Sequence, residues 1–539
     1  MSKLRIVIAQ LNLHVGDING NLQKHIQAAN KARDELSADI IVFPELSLTG
    51  YPPEDLLFRH TFLEEAHAAL QTFIAKVNGI YCVVSHPLST PKGLYNSCSL
   101  IYNGSVLGQY SKQILPNYGV FDEDRYFIPG NTTCVVPIND IPVGLVICED
   151  LWTSGPTKQA AEIGARIILA PNASPFEIDK HEQRISILST RAKENNVAIV
   201  YVNNVGGQDE LVFDGDSMVF DQAGRLCQWA GFFNETLQPI DFDITPTRIN
   251  IALAAINLPS KEEKIYQALV LGLRDYIEKN RIPGVLVGAS GGVDSSLTLA
   301  IAVDAIGKDR VRAVLMPSRF TENISIEDAE LLSHNLGIKS ETISIEPSYQ
   351  SFLTSLAESF EGKKTDVTEE NIQARCRSII LMALSNKSGY VVLSTGNRSE
   401  IATGYCTLYG DMAGSFNVLK DVPKTLVYDL TRYRNKISPV IPERVIHRPP
   451  SAELAPNQND EDSLPPYSVL DPILFAYLNQ EQSIDEITAQ GFDRETVAKV
   501  INLIRRSEYK RYQATLGTHI NHKSFGKDWR YPLTNGFKG

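Results

Sequence analysis

The sequence predicts an α/β protein of two domains, a sheet-on-sheet sandwich covered by helices followed by a doubly wound parallel sheet. At 539 residues the chain is too long for a single hydrophobic core, so two or three domains are expected. Its first half interleaves many short apolar, β-branched runs with helical segments, some of the runs linked as hairpins and several reading as buried. Its second half alternates strand and helix in the order of a doubly wound sheet.

In chain order, the runs "LRIVIAQLN", "DIIVFPELS", "GIYCVVSHP", "SCSLIYNG", "VGLVICED", "ARIILAPNAS", "VAIVYVNNVG" and "DSMVFDQAG" read as strands. Between them, "NLQKHIQAANKARDEL", "TFLEEAHAALQTFIAKV", "TKQAAEIGA" and "RISILSTRAKEN" carry the 3.6-residue period of helices. A changed rhythm and a proline in "TPTRINIALAAINLPSKEE" place a linker at 246–262, between domains at 1–245 and 263–539. An amphipathic helix, "EEKIYQALVLGLRDYIEKN", then leads into the strand "RIPGVLVG"; "VRAVLMP", "SETISIEP" and "YVVLSTGN" supply further strands of the second sheet. Residues 447–467, rich in Pro, Asn, Asp and Glu, read as a surface loop, functional or mobile.

Composition narrows the class. Hydrophobic residues at 43% and charged residues at 21% are those of a soluble globular protein. A net charge of −12 argues against nucleic acid as the main partner, which would require a basic face. The seven cysteines form no CxxC pair, which predicts free thiols in a reducing cytoplasm and neither a disulfide framework nor a zinc site. The chain begins directly on a strand-like run and has no stretch of about 20 apolar residues, so no leader and no membrane span are expected.

The densest chemical signal is "GASGGVDSSLTLAIAV", residues 288–303. A buried strand, a glycine-rich bend and a helix N-terminus make an anion site, because free backbone amides and the helix dipole converge on the bend. No Gly-x-x-x-x-Gly-Lys-Ser/Thr pattern is present. Ser290, Gly291, Gly292, Ser295 and Ser296 can cradle a phosphate, whereas Asp294 would repel one and so acts through magnesium. An ordinary βα turn does not require so many small and polar residues plus an aspartate. After the strand "YVVLSTGN", Thr395, Asn397 and Glu400 precede a helix. Glu400 either completes a magnesium site with Asp294 or only complements that helix's dipole.

"SGGVDSS" resembles the pyrophosphate loop of the N-type ATP pyrophosphatases, which cleave ATP between the α- and β-phosphates and adenylate an oxygen such as a carboxylate's. With "EENIQARCR", "STGNRSEIATGY", "YGDMAGSFN" and "SLPPYSVLD", the second half is similar to the NAD synthetases, which amidate deamido-NAD. The resemblance implies an ATP site at Gly288, Ala289, Ser290, Gly291, Gly292, Val293, Asp294, Ser295 and Thr395. It implies deamido-NAD contacts at Asn371, Glu400 and Lys510, magnesium on Asp294 and Glu400, and weaker roles for Arg375 and Lys424. On residue type alone, Lys510 is one of several basic residues of a C-terminal helix.

Such an amidation needs ammonia, which is mostly protonated in neutral water and therefore not nucleophilic; releasing it in place from an amide removes that obstacle. In the first half, Cys148 in "VGLVICEDLW" follows an apolar strand, as does Glu45 in "IVFPELSLTGYPPEDL", and Lys112 lies in "GQYSKQILPNYGVFDEDRYF". A lone cysteine in such a run is more often a small core residue. The order glutamate, lysine, cysteine resembles the nitrilase superfamily of amidases over about residues 1–245, implying an α-β-β-α sandwich. The implied roles are Cys148 as nucleophile, Glu45 as general base and acid, and Lys112 as oxyanion stabiliser, with Glu149, Asp150 and Trp152 shaping the pocket. Taken together, the halves resemble the glutamine-dependent NAD synthetases. That resemblance implies glutamine contacts at Tyr118, Ser174 and Lys180, with arginine frequent in relatives at the last position. It also implies glutamine, deamido-NAD and ATP as substrates and a homo-oligomeric state. Two other readings compete with it: another amidating ligase on the same loop, and a nucleotide-binding regulator with a decayed amidase.

Overall fold

A computed structural model of the chain describes residues 2–456 and 458–536. Asn457, within the 447–467 loop, and the last three residues of the second domain lie outside the described residues. Two compact units divide between Pro259 and Ser260.

The first unit is built on two sheets. The first runs, edge to edge, Ile249–Ile251, Thr236–Ile244, Ser2–Gln10, Ile40–Val42, Tyr81–Thr90, Gly93–Tyr102 and Ser105–Ser111. Its three middle strands are parallel and its flanks antiparallel. The second runs Leu226–Trp229, Met218–Phe220, Ala198–Asn203, Ile167–Asn172, Ile141–Leu145 and Cys134–Ile138. Strand alternation explains why the first sheet is covered on both faces. Leu4, Ile6, Ile8, Ile40, Val42 and Val83 join the core shared with the second sheet. Their neighbours Val7, Ala9, Ile41, Cys82 and Val84 face the other way, onto the helices Ile18–Asp34 and His60–Lys76. The helix Ile18–Asp34 starts at Asp17, whose carboxylate accepts from Gly20 N at 3.0 Å, and buries Leu22, His25, Ala29 and Ala32 on one face. Helices Gly155–Glu162 and Lys180–Asn195 pack against the second sheet, completing the α-β-β-α sandwich.

In the second unit five parallel strands lie in the order Lys339–Thr342, Val311–Leu315, Val285–Gly288, Val391–Ser394 and Phe416–Asn417. The helices Lys261–Lys279, Val293–Ile306 and Lys424–Ile437 pack together, and Val293–Ile306 lies against the two central strands. Leu286, Val314 and Val392 instead meet Ile345, just before the helix Glu346–Leu356, with Tyr349 of that helix and Cys376 of the helix Val367–Ser388, so the sheet is doubly wound. A separate helical core carries Leu470, Leu474, Val497, Ile501 and Ile504. Among the described residues no helix is long and apolar enough to cross a membrane.

All eight runs read as strands in the first half contain strands. The missed ones are short or weakly patterned: Ser105–Ser111, Cys134–Ile138, the hairpin Val205–Gln208 with Leu211–Asp214, Leu226–Trp229, Thr236–Ile244 and, in the second unit, Phe416–Asn417. Ile249–Ile251, inside the expected linker, pairs antiparallel with Phe242–Ile244, so the first sheet extends into residues 249–251.

One buried ion cluster fastens the helix Lys180–Asn195 to the hairpin. Arg184, fully buried, donates to Asp214 at 2.8 Å, to Asp216 at 3.0 Å and to the Ser174 carbonyl at 2.9 Å. Trp229 Nε1 donates to Asp216 at 2.8 Å. Arg184→Met leaves two carboxylates buried without their cation and should destabilise the first unit by about 3–5 kcal/mol. Urea unfolding followed by tryptophan emission measures this, and a loss below about 1 kcal/mol would contradict it.

Candidate active sites

Glu45, Lys112 and Cys148 come from three different strand ends and meet in one buried site. Glu45 follows the strand Ile40–Val42, and its amide donates to Asn172 O at 3.2 Å, at the end of a second-sheet strand. Lys112 follows Ser105–Ser111, its amide donating to Asn96 O at 2.8 Å. Lys112 Nζ donates to Glu45 Oε1 at 2.7 Å and to Glu123 Oε1 at 2.8 Å, with all three side chains shielded from water. Asn96 Nδ2 donates to the same Glu45 oxygen at 2.7 Å, while Tyr51 OH donates to Glu123 at 2.9 Å. Glu45 Oε2 is buried and has no hydrogen-bond partner among the described residues. An ammonium has three N–H donors, so Lys112 keeps one beyond its two carboxylates.

Cys148 sits where the chain leaves the second sheet, with φ of 44° in the left-handed region that a non-glycine residue seldom adopts. Asp150 fixes that bend. One of its oxygens accepts from Ile147 N at 3.0 Å and Tyr110 OH at 2.8 Å; the other accepts from Ile114 N at 2.9 Å and Gln113 N at 3.1 Å. The two amides at 113 and 114 directly follow Lys112, so Asp150 registers the cysteine bend against the lysine segment. Sequence reading gave Asp150 a place in the pocket wall; its structural role is this clamp.

The electrostatics follow from burial. Burial and the Glu45 carboxylate push the Cys148 thiol well above its ordinary range, with Lys112 and the Ala173 amide opposing. Burial would discharge Lys112, but the Glu123 and Glu45 carboxylates outweigh it and keep the ammonium charged. Glu123 is pushed up to about 7 by burial, with Lys112 opposing and Glu45 adding to the rise. No sequence signal singled out Glu123 in "FDEDRYF", where three of four consecutive residues after Phe121 are acidic.

The residues expected to meet glutamine are placed around this centre. Tyr118 OH donates to the Glu149 carboxylate at 3.0 Å, next to Cys148 in the chain. Ser174 is held by Asn203 Oδ1, which accepts from its amide at 2.8 Å, and by Arg184. Lys180 Nζ lies 4.8 Å over the Trp152 ring and 3.4 Å from Glu177.

In the second unit the strand Val285–Gly288 turns through residues 289–292 into the helix Val293–Ile306. Gly291 has φ of +78°, and a Cβ there would fall 2.2 Å from the Ser325 carbonyl oxygen, so only glycine fits. Ser290 and Ser295 hydroxyls pair at 3.0 Å, and Ser296 Oγ donates to Gly292 O at 2.8 Å. A cavity of about 290 Å³ opens over the loop, lined by Gly288, Ala289, Ser290, Gly292, Val293, Asp294 and Ser295 with Thr395 and Glu400. Residues 448–454 form one wall, where Ser325 Oγ donates to Glu453, so this part of the expected surface loop borders the cavity.

Lys424 was a minor candidate and is central here. Its ammonium lies 2.5 Å from Asp294 Oδ2 and 3.4 Å from Glu400 Oε1, while Asn397 Nδ2 donates to Asp294 Oδ1 at 2.9 Å. Burial pushes Glu400 up to about 8, with Lys424 opposing and Asp294 reinforcing the rise. Burial works against the charge on Lys424, but Asp294 and Glu400 outweigh it and raise its pKa. The remaining candidates do not line the cavity: Asn371 Oδ1 accepts from Thr407 at 2.8 Å, Arg375 Nε donates to Leu408 O at 3.2 Å, and Lys510 Nζ donates to Gly404 O at 2.7 Å and Cys406 O at 2.6 Å. Lys510 is thus half-buried on backbone carbonyls, and not a solvated charge.

Comparison with known proteins joins the two sites. A carbon-nitrogen hydrolase family model matches residues 5–249 and an NAD synthase model matches residues 265–514. The chain is 47% identical to the glutamine-dependent NAD(+) synthetase of Acinetobacter baylyi, covering 100% of this chain and 99% of the relative. It is 45% identical to the enzyme of the same name from Thermotoga maritima, over the full length of both. The solved structure of glutamine-dependent NAD+ synthetase from Acinetobacter baumannii in complex with adenosine diphosphate superposes with a TM-score of 0.81 at 45% identity, covering 99% of each chain. With identity of this order along the whole chain and both of its units matched, the protein belongs to the glutamine-dependent NAD(+) synthetase family.

Proposed function

We propose that the chain amidates deamido-NAD to NAD at the expense of ATP, with ammonia released from glutamine by Cys148, Glu45 and Lys112. The observation that carries this reading is the unpartnered Glu45 Oε2 in a site that also holds a strained cysteine and a charged lysine with a donor to spare. The thiol is held neutral by its surroundings, so attack on the amide carbon transfers its proton to Glu45 as the carbon–sulfur bond forms. Lys112 donates its third N–H to the oxyanion, and the leaving ammonia takes the proton back from Glu45. Water then hydrolyses the thioester, releasing glutamate. Tyr118, Ser174 and Lys180 are the proposed contacts for the amino-acid end of glutamine.

In the second unit the loop 288–295 and Thr395 are the proposed ATP site, and Asn371, Glu400 and Lys510 the proposed deamido-NAD contacts. The carboxylate of deamido-NAD attacks the α-phosphorus, pyrophosphate leaves, and ammonia displaces AMP from the adenylate. Asp294 and Glu400 suit magnesium, since burial disfavours the charge on Glu400 and two carboxylates completed by phosphate oxygens are a usual donor set for that ion. Among the described residues no cluster of three or more His, Cys, Asp or Glu could hold a metal without such help. Bound there, magnesium would neutralise charge on the leaving pyrophosphate. Lys424 offsets the repulsion between the two carboxylates and is well placed to meet a phosphate. All seven cysteines are free thiols, which supports a cytoplasmic location. A homo-oligomer rests on the family resemblance.

Cys148→Ala should abolish glutamine-dependent NAD formation and leave synthesis from high ammonium intact. A merely structural cysteine would lose about 1 kcal/mol of stability and keep both activities. Cys82→Ala, Cys98→Ala and Cys227→Ala serve as controls that retain glutamine use. Parallel assays of NAD formation with each nitrogen source decide this, and glutamine use retained by the Cys148 variant would refute the assignment.

Asp294→Ala removes the closest partner of Lys424 and should lower synthesis from both nitrogen sources by more than ~100-fold, while glutamine hydrolysis persists. Ammonium-dependent synthesis near the wild-type rate would exclude a role for this carboxylate.

The nucleotide products should be AMP and pyrophosphate, since the loop carries Asp294 and no Walker lysine. Phosphorus NMR of the reaction distinguishes them from ADP and inorganic phosphate, whose appearance as first products would overturn the α,β-cleavage.

A further inference from the structure

Asp421 lies outside the cavity and is almost fully buried, yet it joins the two elements that surround Asp294. One carboxylate oxygen accepts from Arg398 Nη1 at 2.6 Å. Arg398 follows Asn397, the residue that donates to Asp294, and opens the helix Arg398–Thr403 that carries Glu400. In the chain, Asp421 is three residues before Lys424, the other partner of Asp294, and Arg398 N donates to Val422 O at 2.9 Å between the two.

The second oxygen of Asp421 is taken up by a segment beyond the matched NAD synthase region. Ile520 N donates to it at 2.9 Å, Asn521 N at 2.8 Å and Ser524 Oγ at 2.5 Å. Asn521 Nδ2 also donates to the Asp421 carbonyl at 2.6 Å. The segment is anchored on both sides of this contact. Leu516 bridges to the edge strand at Phe416, its carbonyl accepting from Asn417 N at 2.7 Å. Gly517 approaches so closely that a Cβ there would meet Asn417 O at 2.2 Å. Further on, the Phe525 ring lies under both Arg398 and Arg511, at 5.8 and 5.1 Å, and Arg511 Nη1 donates to Ala402 O at 2.7 Å within the same short helix.

We propose that Asp421 is a positioning residue for the nucleotide site, and that the segment 516–529 is a strap that holds it, and through it Asn397, Glu400 and Lys424, in register around Asp294. This rests on the reading of that cavity as the ATP site. A carboxylate is required because all its partners are donors: a cation on one oxygen and two amides with a hydroxyl on the other. An amide in its place would set N–H against N–H on one side.

The test uses the full chain. Asp421→Asn and Ser524→Ala are assayed for NAD formation from deamido-NAD, ATP and ammonium, per folded molecule, with thermal melting and glutamine hydrolysis measured on the same preparations. The KM for ATP should rise and kcat fall, giving a loss in kcat/KM of about 100-fold for Asp421→Asn and about 5-fold for Ser524→Ala. The KM for ammonium and the rate of glutamine hydrolysis should stay within about two-fold of wild type, because neither involves these groups. Ser524→Ala removes one hydroxyl and decides the matter if Asp421→Asn does not fold. The proposal is overturned if the folded variants keep kcat and the KM for ATP within about two-fold while only the melting temperature falls. Wild-type enzyme unable to make NAD from ammonium would instead overturn the reading of the cavity, before any variant is compared.

Discussion

The first site depends on a lysine ammonium sealed away from water. Lys112 is stable there only because Glu45 and Glu123 lie within 2.8 Å of it, and those carboxylates tolerate burial only because Lys112 lies between them. Such a cluster is tolerant of little: removing one member leaves uncompensated charge at low dielectric. The constraint places the two acids alike on the cation. Glu123 takes Lys112 and Tyr51 on one oxygen and Glu45 takes Lys112 and Asn96 on one oxygen, so each acid turns a second, buried oxygen away from the cation; what sets Glu45 apart is its place beside Cys148, whose thiol it pushes up. The second unit repeats the arrangement with Lys424 between Asp294 and Glu400, but beside an open cavity.

Much of this was legible in the chain because strands deliver residues by position. An apolar run that ends in a polar residue puts that residue at a strand end, and two such runs gave Glu45 and Cys148, whereas Lys112 follows the weakly patterned strand Ser105–Ser111 and was reached only through the family resemblance. The loop at 288–295 was legible for the same reason, since a strand, small residues and a helix start are contiguous. The sheets followed from short, continuous apolar runs, because their strands are buried on both faces, with Leu4, Ile6 and Ile8 in one core and Val7 and Ala9 in the other.

What escaped was set by contacts distant in sequence. Glu123 opens a single 3-10 turn, Glu123–Arg125, and nothing in its neighbourhood marks it from Asp122 or Asp124; only the approach of Lys112 does. Lys424 is separated from Asp294 by 130 positions, so its place between the two carboxylates has no local signature. Lys510, read on residue type as a helix-surface charge, donates to two backbone carbonyls of the loop after Thr403, more than 100 positions away in the chain. Strands such as Phe416–Asn417 are too short for periodicity to declare them, and exist because a neighbouring parallel strand offers its edge.

The strain at Cys148 shows how these levels meet. A left-handed backbone at a residue with a side chain costs on the order of 1 kcal/mol or more, so the bend persists only where surrounding bonds over-determine it. Asp150 supplies them with four donors on two oxygens, one of them from the residue before the cysteine and two from the residues after Lys112. That single carboxylate therefore does in the first unit what a rigid turn alone cannot, tying the bend at Cys148 to the backbone that follows Lys112. Burial pushes Asp150 up to about 6, and the Ile147 and Ile114 amides and the Tyr110 hydroxyl oppose that rise. The bend at Cys148 is thus carried by hydrogen bonds to backbone amides and a tyrosine, and places no demand on the Lys112 ammonium, which is committed to Glu45 and Glu123.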